Sequence, residues 1–161
     1  MTEAQHIQAI LRLGDDVLVL GQRLSAWCGH GPILEEDIAL SNMALDLIGQ
    51  ARNFYTLAGA RENAGRDEDK LAFFRTDREF QNHLLLELPN GHFGDTIVRH
   101  MLFSAFALER YAFLSRQLFD AEVAGIAAKA LKELQQVMKR PAAAAAEAPP
   151  PPTENESEVS D

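Results

Sequence analysis

The stretch Trp27-Cys28-Gly29-His30-Gly31-Pro32, followed by Ile33 through Arg52, leaves few folds open to this chain. It reads as a turn that feeds a long helix. Proline's fixed φ suits a first helical turn, where a backbone N–H has no partner anyway, so Pro32 is expected to start the helix. Glu35, Glu36 and Asp37 then set negative charge against the positive end of the helix dipole. Beyond them Ile38, Leu45, Ile48 and Ala51 recur on one side, and Leu40, Leu47, Phe54 and Ala58 on another. A helix apolar on two sides has little free surface and belongs inside a bundle. One narrow polar row interrupts it: Asn42, Asp46, Gly49 or Gln50, and Asn53.

The rest of the chain is helical in pattern. Ile7, Ile10, Leu11, Val17, Leu18, Gly21 and Leu24 recur at three- and four-residue steps, which predicts a first helix over 4–27. Gly14 and Gly21 each cost that helix about 1 kcal/mol relative to alanine, so close packing of another helix is the expected reason for them. The second helix should end near Ala60. Asp67 is placed to cap a short helix through Phe74, with Glu68 and Asp69 in its first turn. A further piece over 77–88 should stop at Pro89-Asn90-Gly91. Asp95 is expected to cap a helix reaching Phe119, buried on nearly every side over Met101–Leu108. The last helix should begin near Asp120, carry Val123, Ile126, Ala130, Leu134 and Val137 on one face, and stop at Pro141. No strand-like alternation occurs. The fold class expected is all-α, with four long helices and a short helical pair between the second and third.

The formal charge is −9, and residues 141–161 hold five acidic side chains and no basic one. That leaves the first 140 residues with nineteen acidic against fifteen basic, with no basic face for nucleic acid. Two units are expected: a helical bundle over 1–140, and a disordered Ala/Pro-rich acidic tail over 141–161, where Pro149–Pro152 forbids helix. The lone cysteine, Cys28, suits a reducing cytoplasm. No cationic, apolar leader opens the sequence, and no apolar run approaches the roughly 20 residues that span a bilayer.

Inward carboxylates on long antiparallel helices raise the question of a di-iron centre. Such a site takes one Glu from each of two helices and a Glu-x-x-His from each of two others. Only Glu3 to His6 has that spacing, at the very start of the chain. On the second helix the nearest equivalent is Asp46 with Gly49, and on the last helix it is Glu133 with Gln136, so both histidine positions are degenerate. Glu79, His83 and Glu109 stand alone. No catalytic, cofactor-binding or metal residue is therefore assigned. The Asn42/Asp46/Gln50/Asn53 row reads as a solvated stripe or a hydrogen-bonded layer between helices, with Asp46 partly buried; a metal or anion role is the sharper alternative. His30, His83, His92 and His100 read as structural or surface residues. Arg52, Arg75, Arg78 and Arg99 read as ion-pair partners, the alternative being a hold on a phosphate-bearing ligand. Cys28 reads as a small buried residue, and Phe103, Phe106, Tyr111 and Phe113 as core, with an excess available for a subunit interface.

Several segments carry a resemblance. Leu11-Arg12-Leu13-Gly14-Asp15, Val19 through Leu24, Trp27-Cys28-Gly29-His30 and Leu45 through Arg52 resemble the C-subunit family of phenylacetyl-CoA epoxidase. So do Arg66 through Asp69, Leu71-Ala72-Phe73, Asp77 through Phe80, Leu88 through Phe93, and Asp95-Thr96-Ile97, over residues 7–133 in order. The resemblance implies a ferritin-like antiparallel bundle, incomplete at the C-terminus, since members continue beyond Glu133 with further helices. It also implies a non-catalytic structural subunit of an oxygenase complex for aerobic phenylacetate degradation. That subunit pairs with a catalytic A subunit, which holds the di-iron centre and the substrate. NADPH, flavin and iron–sulfur groups are implied in other subunits, and none in this chain. A homo-oligomer is a further expectation. The alternatives are a self-contained di-iron oxidase using Asp46, Glu109 and Glu133, or a truncated remnant without function.

Overall fold

Local signals start and stop the helices of this protein. In the computed structural model, which describes residues 2–117 and 120–147, α1 spans Glu3–Ser25 and α2 spans Leu34–Glu62. They are followed by α3 (Glu68–Phe73), α4 (Leu84–Glu87), α5 (Phe93–Leu114) and α6 (Ala121–Glu147). No strand occurs among the described residues. Thr2 caps α1 in a capping box with Gln5, and Asp67 caps α3 by accepting from the Lys70 backbone N–H at 2.9 Å. Asn63, in the left-handed region at φ 51°, closes α2.

Contacts between helices set their directions. Gly14 lies against Tyr55, and Gly21 against Ala44, Leu47 and Ile48, so α1 and α2 are antiparallel. Asp16 meets Arg110 while Trp27 meets Thr96, which makes α5 antiparallel to α1 and parallel to α2. Arg61 meets Asp120 and Gln50 meets Glu133, so α6 runs against α2. Because α2 and α5 are parallel, their link must travel the height of the bundle, and residues 63–92 do so. Four long helices with one long crossover is the ferritin-like arrangement. The core runs through Val17, Leu20, Leu24, Leu40, Phe54 and Ala127, each at most 1% exposed. Among the described residues no helix is long and apolar enough to cross a membrane.

Several boundaries differ from those expected. Pro32 precedes α2 rather than opening it; Ile33 takes the extended N-cap position, and Gly31 N–H donates to Asp37 Oδ2 at 3.0 Å to close the turn. Asp95 is the third residue of α5: His92 caps it, accepting from Gly94 N–H at Nδ1, while Asp95 accepts from His92 N–H. The piece over 77–88 is not one helix but a 3-10 turn at Asp77–Glu79, an extended run and the single turn of α4. The physical reason is that Gln81 and His83 give their backbone N–H groups to Asp15 and Asp16 of α1. α5 ends at Leu114, short of Phe119, which lies outside the described residues. α6 continues through Pro141 to Glu147, past the expected stop. Proline lacks a single N–H donor, and the alanines beyond it are the strongest helix formers. The rest of the expected disordered tail, residues 148–161, lies outside the described residues.

Burial also departs from the periodicity. Of the two apolar sides of α2, only Leu40, Leu47, Phe54 and Ala58 with Ala51 face the core; Ile38, Leu45 and Ile48 are 52%, 67% and 37% exposed. On α5, Phe103 and Tyr111 are buried, whereas Met101, Leu102, Phe106 and Phe113 are exposed. Cys28 is exposed in the turn after α1. Apart from Ile48, which borders Gly21 of α1, and Cys28, which lies in a turn, these positions have helical spacing but no neighbouring helix among the described residues covers them.

The two helical glycines at opposite extremes give a test of the packing. A Cβ on Gly14 would stand 2.5 Å from Tyr55 Cε1, whereas one on Gly49 would meet nothing within 4 Å. Gly14→Ala is expected to destabilise by about 1–3 kcal/mol, as other overpacked cores do. Gly49→Ala should stabilise by up to about 1 kcal/mol through helix propensity alone. Urea unfolding of the two variants checks both signs.

Candidate functional site

The chemistry of the interior begins with two adjacent acids in the middle of α1. Asp15 continues the buried row Ile7, Leu11, Leu18, and Asp16 falls between Leu13 and Leu20, so the helix carries both carboxylates inward; they are 0% and 1% exposed. A buried carboxylate costs several kcal/mol unless it is paired and hydrogen-bonded. Asp15 accepts from Tyr55 Oη at 2.7 Å, from Arg75 at 2.5 and 3.3 Å, and from Gln81 N–H at 2.9 Å. Asp16 accepts from Arg110 at 2.8 Å and from the His83 backbone N–H at 2.8 Å, with the His83 Nδ1 also at 2.8 Å. Each acid therefore holds its own arginine. Arg75 lies over the rings of Phe80 and Tyr55, and Arg110 over those of Phe106 and Tyr111. Burial, followed by the charge of Asp15, pushes the Tyr55 hydroxyl far up and keeps it a donor.

A polar layer continues across the bundle from Arg110. Tyr111, the next residue on α5, is 1% exposed, and burial raises its hydroxyl to about 12, with Arg110 acting against the shift and Asp16 and Glu133 adding to it. Glu133 of α6 accepts from Gln50 Nε2 of α2 at 2.9 Å. One level thus contains a carboxylate of α1, a guanidinium and phenol of α5, a carboxylate of α6 and an amide of α2. Near the far end Asp120 accepts from Arg61 at 2.6 and 2.9 Å, lies 2.7 Å from His6 Nε2, and caps α6 through Val123 N–H. The hydrogen bonds from Arg61 hold the Asp120 carboxyl below the usual carboxylate range.

The structure does not bring the degenerate metal positions together. Asp46, Gly49 and Gln136 are exposed on the outside of the bundle, Glu109 is exposed on α5, and Glu133 is half-buried and held by Gln50. Asp46 was expected to be partly buried; the chain places it in solvent because α2 turns its other side to α1. Of the candidate row only Gln50 is buried. Among the described residues no group of three or more His, Cys, Asp or Glu side chains is placed to hold a metal ion. Asp46, Glu109 and Glu133 accordingly do not fit a di-iron pair. His6, the one histidine with Glu-x-x-His spacing, is engaged with Asp120.

The expected ion pairs hold for Arg75 with Asp15 and for Arg52 with Glu68 at 3.1 Å. Arg99 instead donates to the carbonyls of Leu88 and Pro89 and to Asn90 Oδ1, anchoring the end of the crossover. Arg78 has no carboxylate partner among the described residues. Asp15 and Asp16 belong to no recognisable ligand spacing and were not among the expected site residues. Their signal was present: two acids lie in register with the apolar stripe of the first helix.

Four long helices with a single crossover, bound across their middle by buried carboxylate–guanidinium pairs, define a ferritin-like helical bundle protein. The family described as Phenylacetic acid catabolic protein matches residues 1–136, and the chain belongs to that family. It is 52% identical over 123 residues to the C subunit of the 1,2-phenylacetyl-CoA epoxidase of Escherichia coli (strain K12), an alignment covering 76% of this chain and 49% of that protein. The chain thus spans about half the length of this relative.

The two kinds of aspartate should respond differently to the same substitution. Asp15→Leu leaves Arg75 buried without its acid and is expected to cost roughly 3–5 kcal/mol. Asp46→Leu should change stability by no more than about 0.5 kcal/mol. Equilibrium unfolding of the pair reads the difference. Asp120 predicts a pH dependence. Its folded pKa is depressed, so its contribution is present above the unfolded value and is lost as pH falls through the folded one. The stability gap between wild type and Arg61→Met should therefore narrow on acidification below about pH 4, measured as Tm against pH.

Proposed function

We propose that this chain is a structural, non-catalytic subunit of a multicomponent phenylacetyl-CoA epoxidase, paired with a catalytic A subunit in aerobic phenylacetate degradation. The observation that carries this reading is the 52% identity to a C subunit of such an epoxidase over most of the chain. The chemistry of the interior supports it. The inward carboxylates Asp15, Asp16 and Glu133 are engaged by Arg75, Arg110 and Gln50 rather than left facing one another across the bundle to share an ion. In this reading the di-iron centre, the substrate and the electron supply through NADPH, flavin and iron–sulfur groups belong to other subunits, in a cytoplasmic complex. This chain supplies a rigid bundle whose exposed apolar residues, among them Leu45, Met101 and Leu102, offer surface for a partner.

Co-expression with an A subunit tests it. The expected outcome is a single complex on size-exclusion chromatography at micromolar concentration, with the iron in the A subunit and none in this chain purified alone. Separate elution at that concentration overturns the pairing. Two irons in each copy of this chain purified alone would establish a self-contained oxidase instead.

A further inference from the structure

Arg66, Arg75 and Arg78 line one cavity, between the first half of α1 and the crossover. Its volume is about 240 Å³. Sites for drug-sized molecules run from roughly 300 to 1,000 Å³, so this one suits a compact group. Three guanidinium groups share the wall with a single carboxylate, that of Glu79. Glu79 is drawn back over its own turn, where its Oε2 accepts from Thr76 N–H at 2.7 Å and from Thr76 Oγ1 at 2.8 Å.

The hydrogen-bonding groups left over in that wall are mostly donors. Arg66 gives Nε, at 2.8 Å, and Nη2 to Glu62, which leaves its Nη1 unengaged. Arg75 is fixed from behind, by Asp15 and by the Leu71 carbonyl, and forms a rigid inner wall. Arg78 is exposed and has no carboxylate partner among the described residues. Gln81 accepts from Arg12 Nε at its Oε1, at 2.8 Å, so its amide nitrogen remains to donate. These donors come from three segments: the loop after α2, the 3-10 turn and the extended run that follows it. Guanidinium groups and an amide N–H with few competing acceptors are the set that recognises an oxyanion. We propose that this cavity binds a phosphate group, as inorganic phosphate or as a phosphate monoester, through Arg66, Arg78 and Gln81. Phosphate presents oxygens in several directions, which suits donors from separate segments better than the two oxygens of a carboxylate. A larger groove on the outer face of α1, about 660 Å³, shares Gln8 and Gln81 with the cavity and gives the body of a monoester room. The site uses none of the exposed apolar residues of α2 and α5, so it is independent of the pairing proposed above.

A nitrogen-edited NMR titration of the full chain tests it, at fixed ionic strength, with inorganic phosphate and separately with adenosine 5′-monophosphate. The expected result is a saturable shift concentrated at the amides of Gln8, Arg78 and Gln81. Equal affinity for the two ligands supports a site for the phosphate group alone. Tighter binding of the monophosphate supports a site that includes the groove on α1. Arg78→Gln should weaken binding about tenfold or more through loss of a charge-assisted hydrogen bond, with helical circular dichroism unchanged. Arg52→Gln removes the same charge from exposed surface outside the cavity and should leave the affinity as it was. Absence of saturable shifts with both ligands up to millimolar concentration overturns the proposal. So does binding that Arg78→Gln leaves intact, or that Arg52→Gln weakens equally, since either marks diffuse attraction to a charged surface. None of these outcomes bears on association with an A subunit.

Discussion

Two carboxylates buried side by side on α1 are the constraint that the rest of this structure serves. An aspartate at 0% exposure cannot remain ionised without compensation, and here compensation is complete. Asp15 takes a phenol, a guanidinium and a backbone N–H; Asp16 takes a guanidinium, a backbone N–H and an imidazole. The donors come from α2, from the crossover and from α5. Satisfying α1 therefore requires three other segments to be in place, which ties the bundle into one unit.

The crossover shows how far that demand reaches. Residues 77–88 carry apolar side chains at helical intervals, yet two of their backbone N–H groups are drawn to Asp15 and Asp16 instead of to their own carbonyls. The segment is consequently laid flat along α1, with Arg75 inserted between the rings of Tyr55 and Phe80. The same economy appears at its end, where Arg99 of α5, its charge made costly by burial, is held by carbonyl oxygens around Asn90. Charge at the centre thus takes the place of regular secondary structure as the organiser of this region.

The proposed structural role is supported by the same balance. A bundle that performs metal chemistry keeps carboxylates and imidazoles converging and incompletely satisfied. Here the buried carboxylates are distributed one to each cation, and three histidines are spent elsewhere: His92 on a cap, His6 on Asp120 and His83 on Asp16. The exposed aliphatic side chains of α2 and α5, with a glycine at the centre of α2, are the features that its interior leaves unexplained.

The helical class, the buried stripe of α1, the cap at Asp67 and the close helix packing at Gly14 and Gly21 were all legible in the residues themselves, because they depend on neighbours three or four positions away. The resemblance over residues 7–133 added the ferritin-like arrangement and the family. Tertiary structure alone decided which apolar side of α2 lies inside, since both sides have the same period and only the position of α1 distinguishes them. It also decided that Asp46 is solvated while Asp15 is buried. An acid's fate is set by whether a cation reaches it, and the cations that reach Asp15 and Asp16 stand 60 and 94 residues away along the chain, beyond any local pattern.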